Sequence, residues 1–239
     1  MKIKNAVALV SGSNRGIGKA LVETLIQAGT KKIYACARDI SGLAFDNSRT
    51  EIVPLQLDIS DHHRVIEIAD EAKDVTLLFN NAGVLDFGDI LNVPLEYIKR
   101  NFETNFYGAL AMSRNLAPVI EANGGGAIVN TLTLLSLASM PGLAAYNASK
   151  AAAWSMTLSL RASLADRNIT VYSVFPGAVD TDMLDGVDMP KTSAKHVAQG
   201  IVNGVNEDRE DIFPDPMSIE VYGVWSKDHK AIEKQFAQM

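Results

Sequence analysis

The sequence carries a single cysteine, Cys36, in 239 residues. That excludes an internal disulfide and a cysteine-built metal cluster, so stability must come from packing. Cys36 lies in a β-branched, strand-like run and reads as core packing rather than a reactive thiol. Long apolar runs are also missing: none approaches the ~18 residues that span a bilayer. The opening Met1-Lys2-Ile3-Lys4-Asn5 has neither a signal-type apolar stretch nor a cleavage site, and the expectation is a cytoplasmic protein without a membrane partner. Positive charge is in deficit, with 22 Lys and Arg against 28 Asp and Glu and a formal charge of -6. A nucleic-acid partner, which needs a basic face, is disfavoured. The pair His62-His63 lacks a nearby Cys or a helical His partner, so no metal site is expected and a helix start on the surface is the better reading. Repeats, low-complexity tracts and linkers are absent, which leaves one domain over residues 1–239.

What is present is an ordinary globular composition, 47% apolar and 21% charged. Strand-like runs at Ala6–Val10, Lys32–Cys36, Ile52–Leu57, Val75–Phe79, Ala127–Asn130 and Ile169–Phe175 alternate with helical patterns at Gly16–Ala28, His62–Lys73, Leu95–Ala122 and Ala145–Ala165. This alternation predicts right-handed βαβ crossovers and an α/β fold, a doubly wound parallel sheet of Rossmann type with helices on both faces. The stretch 182–194 is irregular and reads as a substrate loop.

Directly after the first strand comes Ser11-Gly12-Ser13-Asn14-Arg15-Gly16-Ile17-Gly18, followed at once by a helical pattern. Glycines there give a tight turn and close backbone approach, with a helix N-terminus aimed at an anionic ligand. The spacing is Gly-x-x-x-Gly-x-Gly, not the commoner Gly-x-Gly-x-x-Gly. Tyr146 and Lys150 lie one turn apart on one helix face, where an ammonium would favour phenolate and make an acid-base pair. Thr133 follows the strand ending at Asn130, and Asn80-Asn81-Ala82-Gly83 follows another, both at strand ends where parallel sheets bind ligands. Asn105 sits within a helical stretch, a mildly unfavourable place unless its amide has a partner.

Together these motifs resemble the short-chain dehydrogenase/reductase family from about residue 5 to residue 182, with Ser11 where the family more often has Thr. The resemblance implies a cofactor turn at Gly12, Ser13, Asn14, Arg15, Gly16, Ile17 and Gly18, a ribose-bordering motif at Asn81, Ala82 and Gly83, and nicotinamide contacts in Pro176-Gly177-Ala178-Val179-Asp180-Thr181. It further implies a catalytic tetrad. Tyr146 would exchange a proton with the substrate oxygen, Lys150 would lower the tyrosine pKa and hold the nicotinamide ribose, and Asn105 would hold a water linked to Lys150. Thr133 stands where the family has a serine that donates to the substrate oxygen. It keeps the hydroxyl but adds a β-branch. Ser136 is the alternative donor, three positions off register.

The family's acidic position after the second strand, which would hold both ribose hydroxyls of NAD, is filled by Ala37, and Arg38 follows. A planar cation beside a small residue suits a 2'-phosphate, with Arg15 as a second clamp, so NADP(H) is the expected cofactor. The competing reading has Asp39 accept the ribose hydroxyls. Asp58, followed by Ile59, matches the residue that takes the adenine amino group. Trp154 and Met156 are apolar beyond one buried stripe, and in the family this helix pairs with another subunit, so a homodimer or homotetramer is expected. The tail Trp225–Met239 reads as a terminal helix without a role in activity.

The expected function is carbonyl reductase or alcohol dehydrogenase chemistry, an NADP(H)-dependent hydride transfer with a small or medium, mostly apolar carbonyl or alcohol substrate. Leu, Met and Val dominate Leu134–Leu143 and 182–194, so a substrate carboxylate has no clamp except Lys191. A non-catalytic redox sensor on the same fold is the alternative. An epimerase or dehydratase would need a larger C-terminal region than the one after Thr181.

Overall fold

A computed structural model describes residues 2–46 and 49–239. Strand β1 (Val7–Ser11) is buried along its whole length. It pairs in parallel with β2 (Lys32–Ala37) on one side and β4 (Leu77–Asn80) on the other, and β3 (Glu51–Gln56) extends the sheet beyond β2. β5 (Gly126–Thr131), β6 (Ile169–Val174) and the short β9 (Asp211–Ile212) continue past β4, giving the order β3-β2-β1-β4-β5-β6-β9, parallel throughout. The chain therefore winds one way from β1 to β3 and the other way from β4 onward. The crevice lies at that reversal, over the carboxyl ends of β1 and β4.

Alternation along each strand divides the core in two. Ala8 and Val10 of β1 and Leu77 and Phe79 of β4 join helices α1 (Gly16–Gln27) and α6 (Ala194–Asn206), through Leu21, Leu25, Val197 and Ile201. Val7, Leu9 and Leu78 point the other way, to α2 (His62–Glu71), α4 (Ala109–Ala122) and α5 (Ala144–Leu164), where they meet Val65, Ile68, Met112, Leu116 and Leu164. Cys36 is buried in this second layer, and desolvation pushes its thiol pKa up, as packing rather than reactivity requires.

The helical stretch expected from Leu95 to Ala122 is one run with an irregularity. α3 (Leu95–Phe102) passes through a π-helical turn, Glu103–Gly108, into α4. Asn105 sits in that turn. At its end Gly108 packs so closely on Ile59 that a Cβ would come within 2.8 Å of it. The 182–194 stretch is bracketed by a two-strand parallel pair, β7 (Val179–Asp180) and β8 (Thr192–Ser193), which closes its base. α7 (Pro216–Trp225) and α8 (His229–Phe236) complete the chain. Among the described residues no helix is long and apolar enough to cross a membrane. His62 and His63 pair with Glu103 and Glu67 on the surface.

Behind the crevice lies a buried polar network. The Asn80 amide donates to Asn130 Oδ1 at 2.8 Å and Ser113 Oγ at 3.0 Å, and the Asn130 amide donates to Thr157 Oγ1 at 3.0 Å. It ties β4 and β5 to α4 and α5 in a setting where an unpaired polar group is costly. Asn130→Ala should therefore lower unfolding free energy by roughly 1–3 kcal/mol in urea titrations. A loss below about 0.5 kcal/mol would mean that the network does not contribute to stability.

Candidate active site

The turn after β1 is stitched to the segment after β4. Ser11 Oγ accepts from the backbone amides of Asn81 and Ala82, both at 3.0 Å, and the Asn81 side chain donates back to the Ser11 carbonyl at 3.1 Å. Gly12, at φ 68°, runs against Ala82, with room for no side chain: a Cβ would lie 2.9 Å from the Ala82 Cα. A Cβ on Gly18 would collide with the Gly12 carbonyl oxygen. These two glycines are thus demanded by the close packing of turn, helix and sheet. α1 begins at Arg15 without a side-chain cap, leaving the amide donors of its first turn at the cleft wall.

A cleft of about 1120 Å³ runs from this turn across the sheet. Gly12, Asn14, Arg15, Gly16, Ile17 and Gly18 line one end with Arg38, Asp58 and Ile59. Asn81, Ala82, Gly83, Thr133, Tyr146 and Lys150 line its middle, with Pro176, Gly177, Val179 and Thr181 opposite. Ser13 of the turn and Asn105 of the expected tetrad are not at its surface. Ser13 is buried behind the turn, its amide and hydroxyl both donating to the Cys36 carbonyl at 3.0 Å, so it holds the turn to β2. Asn105 is also buried. Its Oδ1 accepts from Val84 N, and its amide donates to the Val84 carbonyl and Ser149 Oγ, each at 2.9 Å. The amide thus has the partners that a helical Asn requires, and it braces the first turn of α5, where Ser149 in turn donates to the Tyr146 carbonyl at 2.8 Å.

Thr133 caps the short turn Leu134–Ser136, and its hydroxyl lies near enough to Tyr146 to draw the phenol pKa down. Ser136 Oγ is buried with no partner and off the cleft wall, which leaves Thr133 as the donor beside the tyrosine. Burial pushes the Tyr146 phenol up to about 12, against the opposing pull of the Thr133 hydroxyl. Burial pushes Lys150 down to about 8. Lys150 Nζ donates to the Thr131 carbonyl at 2.7 Å and lies 5.8 Å from the Tyr146 ring centre. The expected depression of the tyrosine by Lys150 is therefore not what governs it here: desolvation dominates both groups.

At the other end, Arg38 is exposed beside Ala37. Asp39 is off the cleft wall and its carboxylate is taken up by the Ser41 amide and hydroxyl, at 2.9 and 2.7 Å. It is not placed to accept ribose hydroxyls. Burial raises Asp58, but hydrogen bonds from Ser60 and the nearby Arg38 outweigh it and hold the carboxyl below its ordinary value. Arg15 pairs with Asp182 at 3.1 Å across the mouth, an exposed contact worth little by itself. This donor set, with small residues where a ligand must approach and two arginines at one end, fits an anionic nucleotide.

Sequence reading missed the far wall. Met217, Val221 and Val224 of α7, Ile232 and Phe236 of α8, and Met239 all line the cleft. No local motif marks them: the tail reads as a terminal helix without a role in activity, and the surface it meets is set by contacts with distant segments. Trp154 and Met156, expected to face another subunit, turn inward instead. Trp154 meets Phe175 edge-on at 5.9 Å and Trp225 at 6.0 Å, and Met156 is buried with Phe175 and Leu132.

The buried lysine sets a pH dependence. With its folded pKa below its unfolded one, the unfolded chain binds the extra proton between about pH 8 and 10.5, so stability gains from this group as pH rises through that window. In protein without added nucleotide, the stability advantage of Lys150→Met over the parent should shrink by on the order of 2 kcal/mol between about pH 7.5 and 9.5 in denaturant titrations. A difference that stays flat with pH would show that Lys150 keeps an ordinary pKa.

Comparison with known proteins agrees with this architecture. The short chain dehydrogenase profile matches residues 6–191. A short chain dehydrogenase from Burkholderia cenocepacia, solved in complex with NADP, superposes with a TM-score of 0.93 at 34% identity, over 99% of each chain. Sorbitol dehydrogenase of Cereibacter sphaeroides is 31% identical, covering 84% of this chain and 80% of its own length. The 1-deoxy-11-beta-hydroxypentalenate dehydrogenase of Streptomyces exfoliatus is also 31% identical, covering 89% of this chain and 84% of its own. By profile, sequence and fold, the chain belongs to the short-chain dehydrogenase family of oxidoreductases.

Proposed function

We propose that this protein is an NADP(H)-dependent carbonyl reductase or alcohol dehydrogenase acting on a mostly apolar substrate. The observation that carries the reading is the meeting of Thr133, Tyr146 and, one turn along, Lys150 in the wall of the cleft that the glycine turn opens. The NADP complex of the Burkholderia relative supports the cofactor, as do Ala37 and Arg38 at the adenosine end. The first-turn amides of α1 would hold the pyrophosphate, Arg38 and Arg15 the 2'-phosphate, and Lys150 the nicotinamide ribose. The bound nicotinamide supplies the hydride.

The chain's own residues handle the proton and the charge. In reduction the substrate oxygen gains negative charge as its carbon is attacked, and the Thr133 and Tyr146 hydroxyls donate to it. Tyr146, held protonated by burial, passes its proton to that oxygen; in oxidation it receives one, aided by Thr133. Lys150, fixed on the Thr131 carbonyl, and Asn105, fixed on Val84 and Ser149, keep α5 in register with that pair. A redox sensor has no use for a buried acid beside a hydroxyl in the cleft wall, which weighs against the non-catalytic reading. The segment 182–194 serves as the substrate loop of one domain spanning residues 1–239. Assembly as a dimer or tetramer is retained on family grounds, through the exposed side of α5 that bears Ala148, Ala151, Ser155 and Ala162.

Tyr146→Phe should cut ketone-dependent NADPH oxidation by about 10²–10⁴ while NADPH affinity, read by fluorescence titration, stays within a few fold. Activity within about tenfold of the parent would remove Tyr146 from the acid role. Arg38→Ala should weaken NADPH by roughly 1–3 kcal/mol and leave NADH almost unchanged. Equal losses for both would mean that Arg38 does not read the phosphate.

A further inference from the structure

The cleft extends well past Tyr146. Its total of about 1120 Å³ exceeds the ~300–1,000 Å³ of a single small-molecule site, as a site for two ligands should. Beyond Thr133 the walls come from the 182–191 loop, α7 and α8, and methionine recurs on all sides: Met140, Met183, Met189, Met217 and Met239. Unbranched thioether side chains adapt to irregular apolar shapes. Four large apolar side chains on the cleft wall are left open to solvent, Met183 at 38%, Val224 at 42%, Phe87 at 56% and Met239 at 62%. An apolar rim around a cleft marks a ligand that covers it.

Charge narrows the class. Arg15, Arg38 and Lys150 are assigned to the cofactor above, Arg100 is paired with the buried Asp86, and Lys191, bonded to the Leu184 carbonyl at 2.8 Å, is off the cleft wall. Glu220 lines that wall. An anionic substrate body would find no unpaired cation left for it there and a carboxylate on the same wall.

The far wall is firmly built. Ile232 and Phe236 are buried against Leu134 and Val221, immediately beyond Thr133. Asp215 caps α7 through Ser218 N at 2.9 Å and accepts from Gly177 N at 3.0 Å, which fixes α7 to the turn opposite Tyr146.

Resting on the oxidoreductase reading above, we propose that the substrate is a bulky, uncharged carbonyl compound or its alcohol, whose apolar body reaches from Tyr146 to α8, with Val224 and Met239 as specificity determinants. This enlarges the small or medium compound expected from sequence.

The test compares kcat/KM with NADPH for acetone, cyclohexanone, 1-decalone and benzophenone, using the full chain and the variants Val224→Glu, Met239→Glu and Met239→Leu. Both glutamates replace exposed side chains, so folding, checked by melting temperature, should hold. The parent should favour 1-decalone or benzophenone over acetone at least 100-fold. Each glutamate should cut that ratio at least tenfold with NADPH affinity unchanged, and Met239→Leu should preserve it. Equal use of acetone, or ratios that neither glutamate moves, would overturn the bulky-substrate assignment and leave the oxidoreductase reading standing. If no ketone turns over, that reading fails, and the size preference is then decided by calorimetric titration of the same ketones into Tyr146→Phe protein saturated with NADPH. At least tenfold tighter binding of the bulky ketones in that complex would uphold the assignment; equal or absent binding would overturn it.

Discussion

The reversal of winding between β1 and β4 leaves two parallel strands ending side by side, and the backbone groups exposed there need partners. The Ser11 hydroxyl takes two amides from the opposite segment, and the Asn81 side chain returns a bond to the Ser11 carbonyl. That exchange draws Gly12 against Ala82 and brings the N-terminus of α1 over the crevice. From the same strand end, Asn80 carries the polar chain inward to Asn130 and Thr157, and Thr157 lies on α5. The phase of the helix that bears Tyr146 and Lys150 is thus fixed by bonds that begin at the glycine turn. The glycine turn and the helix face that bears Tyr146 and Lys150 are two ends of one bonded structure.

Burial acts on that pair in opposite directions and with one result. It raises Tyr146 and lowers Lys150, so each group is pressed toward its neutral form. A protonated phenol is already the acid that reduction needs. The base that oxidation needs must be stabilised as phenolate, and among the described residues the Thr133 hydroxyl is the neighbour that favours it. Any stronger depression of the tyrosine has to come from charge brought into the cleft or from Lys150 held protonated there.

What could be read from sequence was what is encoded locally. The glycine turn, the alternating strands and the Tyr-Lys spacing depend on a few adjacent residues, and the parallel, doubly wound class of the sheet follows from their alternation with helices. The rest depends on contacts between distant segments. Ser13 belongs to the cofactor motif, yet its hydroxyl turns in toward Cys36. Asp39 was a candidate ribose acceptor until Ser41 was seen to occupy it. Trp154 was apolar enough to suggest another subunit, but its neighbours are Phe175 and Trp225 of its own chain. The tail was legible as a helix while the cleft that α7 and α8 border was not, because periodicity reports that a face is apolar and not what it meets.

The threonine at the serine position is best understood through its backbone. Thr133 sits in extended geometry at φ -168°, with its oxygen accepting from Leu135 N at 3.3 Å. A serine there would have three staggered wells to sample, whereas the β-branch narrows the choice and that bond favours one of them. Under the proposed function the donor is thus held in place before any substrate arrives, which would lower the reorganisation needed when charge develops on the carbonyl oxygen. Under the same proposal the space between the methionine-lined loop and α8 would admit bulk where a substrate is only held, away from the β-branched residue at the reacting end.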